Sequence, residues 1–295
     1  MTRRVLVAGA SGALGRRVTL AARAAGWAVR ALVRDPARLR DAADAVDEVR
    51  QGDALRPDTL AGLCDGVDAV FSCVGASVSG ELGAGRATYR DVDIPANANL
   101  IAEAKRAGVG RFVYTAVWNR DPAVAATAYV SAHDAVVDAL RASGLSYSAI
   151  RPVGFFSIYD QILAMIAAGK PVPLVGDGSP RTNPVSDDDL GELAVRLLDG
   201  GDPEVDAGGP ETLTRAEILD RCFGALDRPS KPLKMPAWAM RASAVALWPI
   251  SPRMADFTRF VAEVYTRDVI APSVGERGLD DHLAAAAARI KSSRG

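Results

Sequence analysis

The sequence predicts an α/β chain, with a doubly wound parallel sheet in its first half and a smaller, mostly helical region after it. Three observations carry this expectation. Short apolar runs alternate with amphipathic helical runs up to about residue 152. The first strand-to-helix junction reads Gly9-x-x-Gly12-x-x-Gly15. Beyond residue 152 the alternation fades and proline and aromatic residues rise, in PVGFFS, GKPVPLVGDGSPRTNP and KPLKMPAWAM. Strands that alternate with helices build parallel βαβ units, whose crossover helices cover both faces of the sheet.

In chain order, RRVLVA, WAVRALV, DEVRQ, DAVFSCV, RFVYTAV and YSAIRP read as strands. Between them GALGRRVTLAARAAG, ARLRDAA, DTLAGLC, PANANLIAEAKRAG and the run that holds Tyr129 read as helices. Gly26, Gly108 and Gly144 follow helical runs, where a glycine accommodates the left-handed turn that ends a helix. The stretch GASVSGELGAGRATYR, residues 75–90, interrupts the rhythm and reads as a mobile loop at the carboxyl ends of the strands. The expected division is a nucleotide-binding unit over residues 1–152 and a substrate-binding region over 153–295, closely packed together.

Composition narrows the classes. Hydrophobic residues make up 49% of 295, enough for a substantial core. The net charge of −1 gives no electrostatic footprint for nucleic acid. Cys64, Cys73 and Cys222 are odd in number and scattered, which fits a reducing cytoplasm and no disulfide framework. No run has the length of a membrane span or the layout of a signal peptide, so a small-molecule substrate is expected, with neither membrane nor nucleic acid as partner.

The glycine junction carries the cofactor expectation. Gly9 permits a tight turn, Gly12 lets the backbone approach a pyrophosphate, and Gly15 allows close packing of helix on strand. The helix start, with Ser11, Ala13 and Leu14, offers free N–H groups to phosphate. After the second strand comes Arg34-Asp35; an arginine there suits a 2′-phosphate and favours NADPH over NADH. Asp53 and Ala54 follow the third strand, where Asp53 either accepts from the adenine amino group or simply makes a turn. Val74 and Gly75 follow the fourth strand and should lie against the cofactor.

These stretches resemble the atypical short-chain dehydrogenases/reductases, in their NmrA-like branch. The resemblance runs through VLVAGASGALGRRV, RALVRDPARL, GDALRPDTL, AGVGRFVYTA, SGLSYSAIRPVGFF, GDGSPRTNPVSDDDL and RDVIAPSVGERGLDD. It implies a Rossmann-like domain, NADP(H), and a cofactor contact at Pro152 and Val153. It further implies a catalytic hydroxyl at Thr115 and a proton-donating tyrosine at Tyr129, on a helix that normally carries lysine four residues later. Here that position is His133. Histidine is mostly neutral near pH 7, so it can hydrogen-bond the nicotinamide ribose but lowers the tyrosine pKa less than lysine would. A tyrosine that stays protonated serves as an acid in reduction and poorly as a base in oxidation.

The reading is therefore an NADPH-dependent reductase of an apolar, aromatic or polycyclic carbonyl; aromatic polyketide tailoring is one class the resemblance allows. The alternatives are reduction of a conjugated double bond and a non-catalytic NADP(H)-binding protein. Phe155 and Phe156 either line a substrate pocket or pack in the core. Trp238, Met240, Trp248, Phe257 and Phe260 are expected mainly in the core. No metal is expected: the Asp run in SDDDL reads as the acidic first turn of a helix capped by Ser186, and His282 stands alone.

Overall fold

The computed structural model describes residues 2–76 and 86–292. Its first half lays down β1 (Arg4–Ala8), α1 (Ala13–Ala24), β2 (Ala28–Val33), β3 (Glu48–Gln51), β4 (Ala69–Ser72), α2 (Tyr89–Arg106), β5 (Arg111–Thr115), α3 (Pro122–Ala125), α4 (Ala128–Ser143) and β6 (Ser146–Pro152). The second half adds α5 (Ser157–Ala167), β7 (Pro173–Val175), β8 (Arg181–Thr182), α6 (Asp187–Leu198), β9 (Glu204–Ala207), β10 (Leu213–Thr214) and α7 (Arg215–Ala225). It ends with β11 (Leu233–Met235), α8 (Ala237–Leu247), α9 (Pro252–Val264) and α10 (Leu279–Ser292).

Seven strands form one sheet in the order β3-β2-β1-β4-β5-β6-β9, with every neighbouring pair parallel. This is the Rossmann-like α/β fold. One face buries Val5, Val7, Val29 and Phe71 against Val18 and Ala22 of α1 and Leu190 and Ala194 of α6. The other buries Leu6, Val70, Phe112 and Tyr114 against Leu100 and Ala104 of α2 and Val136 and Leu140 of α4. The alternation of Phe112 and Tyr114 with Val113 sends successive side chains of β5 to opposite faces, as strand geometry requires.

Three features differ from the sequence reading. The runs ARLRDAA and DTLAGLC form 3₁₀ segments, Pro36–Ala45 and Pro57–Leu60, in place of α-helices. A kink at Arg40 (φ 52°) divides the first, and both begin at a proline, which favours a helical first turn without extending it. Helix α2 starts at Tyr89, ahead of Pro95, because Thr88 and Asp91 form a reciprocal capping box. Within the expected loop 75–90, residues 77–85 lie outside the described residues.

The sheet also draws on the chain beyond residue 152. α6 packs on the sheet beside α1, and β9 pairs with β6, so residues 187–207 complete the nucleotide-binding half. Without β9 the backbone edge of β6 would be exposed. The remaining C-terminal elements make a smaller core of Phe156, Tyr159, Leu163, Leu219, Phe223 and Leu283. Among the described residues no helix is long and apolar enough to cross a membrane.

Gly15 sets how closely α1 approaches β1. A Cβ there would stand 2.1 Å from the Gly9 carbonyl oxygen and 3.0 Å from Ala10 Cα, both backbone. Gly15→Ala should therefore lose at least about 1–3 kcal/mol in urea unfolding, the range for overpacking a rigid site. An unchanged midpoint would show that the helix can shift freely.

Candidate active site

All seven strands of the main sheet run parallel, so their carboxyl ends lie along one edge, and the chain following β1, β4, β5 and β6 gathers there. At β1, Gly9 takes φ 89°, open to glycine at no steric cost, and turns the chain toward α1. Gly12 is the N-cap and contributes no side chain, so the first-turn N–H groups of Ala13 and Leu14 are left to an outside acceptor. Arg16 donates to the Ser11 carbonyl at 3.0 Å and holds the turn. This donor set fits a dinucleotide pyrophosphate.

Beyond β2 the roles of Arg34 and Asp35 separate. Asp35 caps the following 3₁₀ segment by accepting from the Ala37 N–H at 3.0 Å. Arg34 is exposed, and among the described residues no acceptor holds its guanidinium. Asp53 spends one carboxylate oxygen on the Leu55 N–H and has its own N–H bound by Thr59, so it makes a turn whatever else it touches. Ala54 is buried, and its carbonyl accepts from Asn99.

At the end of β4 a buried polar cluster begins. The Asn97 amide donates to the Val74 carbonyl, Ser72 donates to Asn97, and Asp93 accepts from the Ala76 N–H at 2.6 Å. Gly75 lies against the Asp93 carboxylate. Asp93 projects from α2 toward α4, where His133 Nε2 stands 3.6 Å from it. The other nitrogen, Nδ1, is 2.7 Å from the Tyr114 hydroxyl. With Nε2–H directed at Asp93, Nδ1 accepts from Tyr114.

Both nitrogens of His133 are thus turned inward, and the ring is 8% exposed. Nδ1 is committed to Tyr114, whereas the 3.6 Å from Nε2 to Asp93 exceeds hydrogen-bond distance, so Nε2 keeps its capacity to donate. Desolvation favours the neutral form of every group in this cluster. It pushes the Asp93 carboxyl up to about 7 and His133, with help from Arg151, down to about 3. It holds Tyr129 and Tyr114 well above the ordinary phenol range, with the negative charge on Asp93 adding to the effect.

Tyr129 lies one helical turn before His133. Its ring meets His133 edge-on at 5.0 Å, Tyr89 at 4.6 Å, and Phe257 and Phe260 of α9 at 5.6 and 4.8 Å. Among the described residues no hydrogen-bond partner holds its hydroxyl. The Thr115 hydroxyl, at the end of β5, is buried and likewise without a partner there. An unsatisfied buried hydroxyl costs free energy, so Thr115 carries unspent hydrogen-bonding capacity at the end of β5.

The other expected positions divide. Pro152 is buried at the end of β6, and Val153 packs with Tyr129, Val130 and Phe260. Phe155 packs against the sheet core, and Phe156 is buried in the C-terminal core against the His282 ring. Packing accounts for both phenylalanines. The acids of SDDDL have separate partners: Asp187 accepts from Ser157, Asp188 pairs with Arg17 while its backbone N–H donates to the Ser186 hydroxyl, and Asp189 pairs with Arg277.

Asp93 and Tyr114 were not singled out by the sequence reading. Tyr114 was accessible, since the period of two on β5 puts it on the α4 face opposite Thr115. Asp93 was obscured because Pro95 drew the expected helix start past it.

Residues 9–200, more than half of the chain, match the model of the NAD(P)H-binding family. The chain is 25% identical over 243 residues to the photosystem II assembly factor Ycf39 of Trieres chinensis, covering 80% of this chain and 73% of that one. It is 28% identical over 253 residues to divinyl chlorophyllide a 8-vinyl-reductase of Arabidopsis thaliana, covering 79% of this chain and 60% of that one. The NADPH-dependent quinone oxidoreductase of Escherichia coli, solved with NADPH, superposes with a TM-score of 0.68 at 18% identity, over 99% of this chain and 100% of that one. Fold and family match together define a Rossmann-like, NAD(P)H-binding scaffold. This chain belongs to the NAD(P)H-binding family.

The Asp93 carboxyl gives a pH signature. Its folded pKa of about 7 lies above the ordinary carboxyl value of 3.8. The stability linked to that raised pKa is complete below 3.8 and is lost as pH rises through about 7. His133 acts in the opposite sense over a lower window, since its depressed pKa loses stability as pH falls toward about 3. Urea unfolding at stepped pH should therefore show wild type losing stability relative to Asp93→Asn between those two Asp93 values. A difference independent of pH would mean that Asp93 titrates normally.

Proposed function

We propose that the protein is an NADPH-dependent reductase of a carbonyl group on an apolar, aromatic or polycyclic substrate. The observation that carries this reading is the setting of Tyr129: a proton-bearing hydroxyl framed by four aromatic rings, on the helix facing the cofactor half. When bound, the cofactor supplies hydride. The N–H groups of Ala13 and Leu14 hold its pyrophosphate, and Arg34 takes the 2′-phosphate by charge-assisted hydrogen bonds. The Thr115 hydroxyl orients the carbonyl oxygen, and Tyr129 protonates it.

Burial keeps Tyr129 protonated at every ordinary pH, so it can release a proton only to a strongly basic oxygen. An alkoxide formed by carbonyl reduction is such an oxygen. The reverse reaction would need a tyrosinate that this environment disfavours, which supports the reductive direction. His133 acts through position: bonded to Tyr114 and facing Asp93, it braces the helix face that carries Tyr129.

A second reading, reduction of a conjugated double bond, is favoured by one observation. The helix position that carries lysine in the wider superfamily holds a neutral imidazole, so no fixed cation there sharpens Tyr129. Addition of hydride to carbon beside an electron-withdrawing group depends less on a strong acid. The vinyl reductase among the relatives is named for a reaction of that kind.

NADPH oxidation measured with quinones, aromatic ketones and enones separates the two. Carbonyl turnover should fall about 100-fold in Tyr129→Phe, the lower end for loss of a general acid, with NADPH affinity unchanged. Turnover of enones alone, insensitive to Tyr129→Phe, would select the second reading. Tight NADPH binding without any turnover would leave a binding protein. Independently, Arg34→Ala should weaken NADPH by about tenfold in a fluorescence titration and leave NADH unaffected. Equal losses for both cofactors would remove Arg34 from the 2′-phosphate site.

A further inference from the structure

Helix α8 is apolar on its outer side as well as on the inner side that holds Met240, Ala244 and Leu247. Positions 238, 241, 242, 245 and 248 follow helical spacing along one side. On that side Trp238 is 71% exposed, Val245 76% and Trp248 50%, whereas Ala244 is buried on the other. Leu233 at 50% and Ile250 at 69% flank the helix. These five lie within residues 233–250, and only Val49, Leu55, Ile158 and Ile270 are comparably exposed elsewhere among the described residues. Amphipathic helices ordinarily bury the apolar side, and a concentrated exposed apolar face marks a contact surface. The expectation that Trp238 and Trp248 belong to the core is overturned here.

Charge says what covers it. Residues 228–255 contain Arg228, Lys231, Lys234, Arg241 and Arg253 and not one Asp or Glu. Arg241 is neutralised by Glu263 of α9, Arg253 donates to the Ala87 carbonyl, and Arg228 donates to carbonyls at the end of α5. Lys231 and Lys234 are exposed and have no anionic partner among the described residues.

We propose that α8 and its flanks dock on an anionic lipid bilayer surface. Indole rings favour the headgroup region, where an apolar body and a polar N–H are both satisfied. The unpaired lysines complement anionic headgroups. A second copy is a poorer occupant, because a two-fold contact sets this cation-only face against itself. At 11 residues α8 spans about 16 Å, far short of a bilayer core, so it lies in the interface plane. The lack of a spanning helix excludes insertion by that route and leaves adsorption open. Since α9 follows directly and brings Phe257 and Phe260 onto Tyr129, the docking face and the candidate site share one helical pair. Lipid binding is independent of whether the protein turns over a substrate.

Flotation of the full chain tests this, with vesicles of phosphatidylcholine alone or mixed with phosphatidylglycerol. The chain should float with the mixed vesicles only, and less as salt rises. Lys231→Glu and Lys234→Glu should each weaken binding about fivefold at low salt. Trp238→Ala with Trp248→Ala should abolish flotation while NADPH binding and melting temperature stay unchanged. The tryptophan emission of the wild type should shift to the blue on mixed vesicles. The proposal is overturned if the wild type fails to float, or if flotation is indifferent to both the lysine and the tryptophan substitutions. It is equally overturned if sedimentation shows a dimer that Trp248→Glu dissociates and no lipid is bound.

Discussion

The candidate site at the sheet edge depends on the parallel hydrogen bonding of β1, β4, β5 and β6. Because these strands run in one direction, the Gly9 turn, Gly75, Thr115 and Pro152 all leave the sheet at the same edge. The close fit of Gly15 against the Gly9 carbonyl then aims the start of α1 at that edge. Had any of the four strands run the other way, its terminal residue would stand at the far end of the molecule.

The chemistry of the site follows from exclusion of water. Asp93, Tyr114, Tyr129 and His133 are titratable groups gathered at the junction of α2, α4 and β5, and burial drives all of them toward neutrality. A lysine at position 133 would have brought a permanent charge into this volume, with a desolvation cost to be offset by a partner. The imidazole avoids that cost and exchanges electrostatic activation for a hydrogen-bonded brace.

The C-terminal half serves two structures at once. Residues 187–207 close the sheet, with β9 covering the edge of β6 and α6 covering its face. The later helices leave the sheet altogether: α9 supplies rings to Tyr129, and α8 presents its tryptophans outward. A boundary drawn where strand periodicity ends cannot separate these roles, since the chain returns to the first layer after leaving it.

By itself the sequence determined the fold class, the order of the strands from β1 to β6, the glycine turn and the place of the Tyr129 helix. All of these are set by local signals: apolar period, glycine spacing and proline position. The start of a helical segment at Asp35 was also legible, because Pro36 follows it directly. Tertiary structure alone decided that His133 faces Tyr114 and Asp93, that Phe156 is core and that Trp238 is surface. Those outcomes depend on which face of each helix meets which neighbour. Asp93 and His133 are 40 residues apart in number and 3.6 Å apart in space, a contact that no local periodicity encodes.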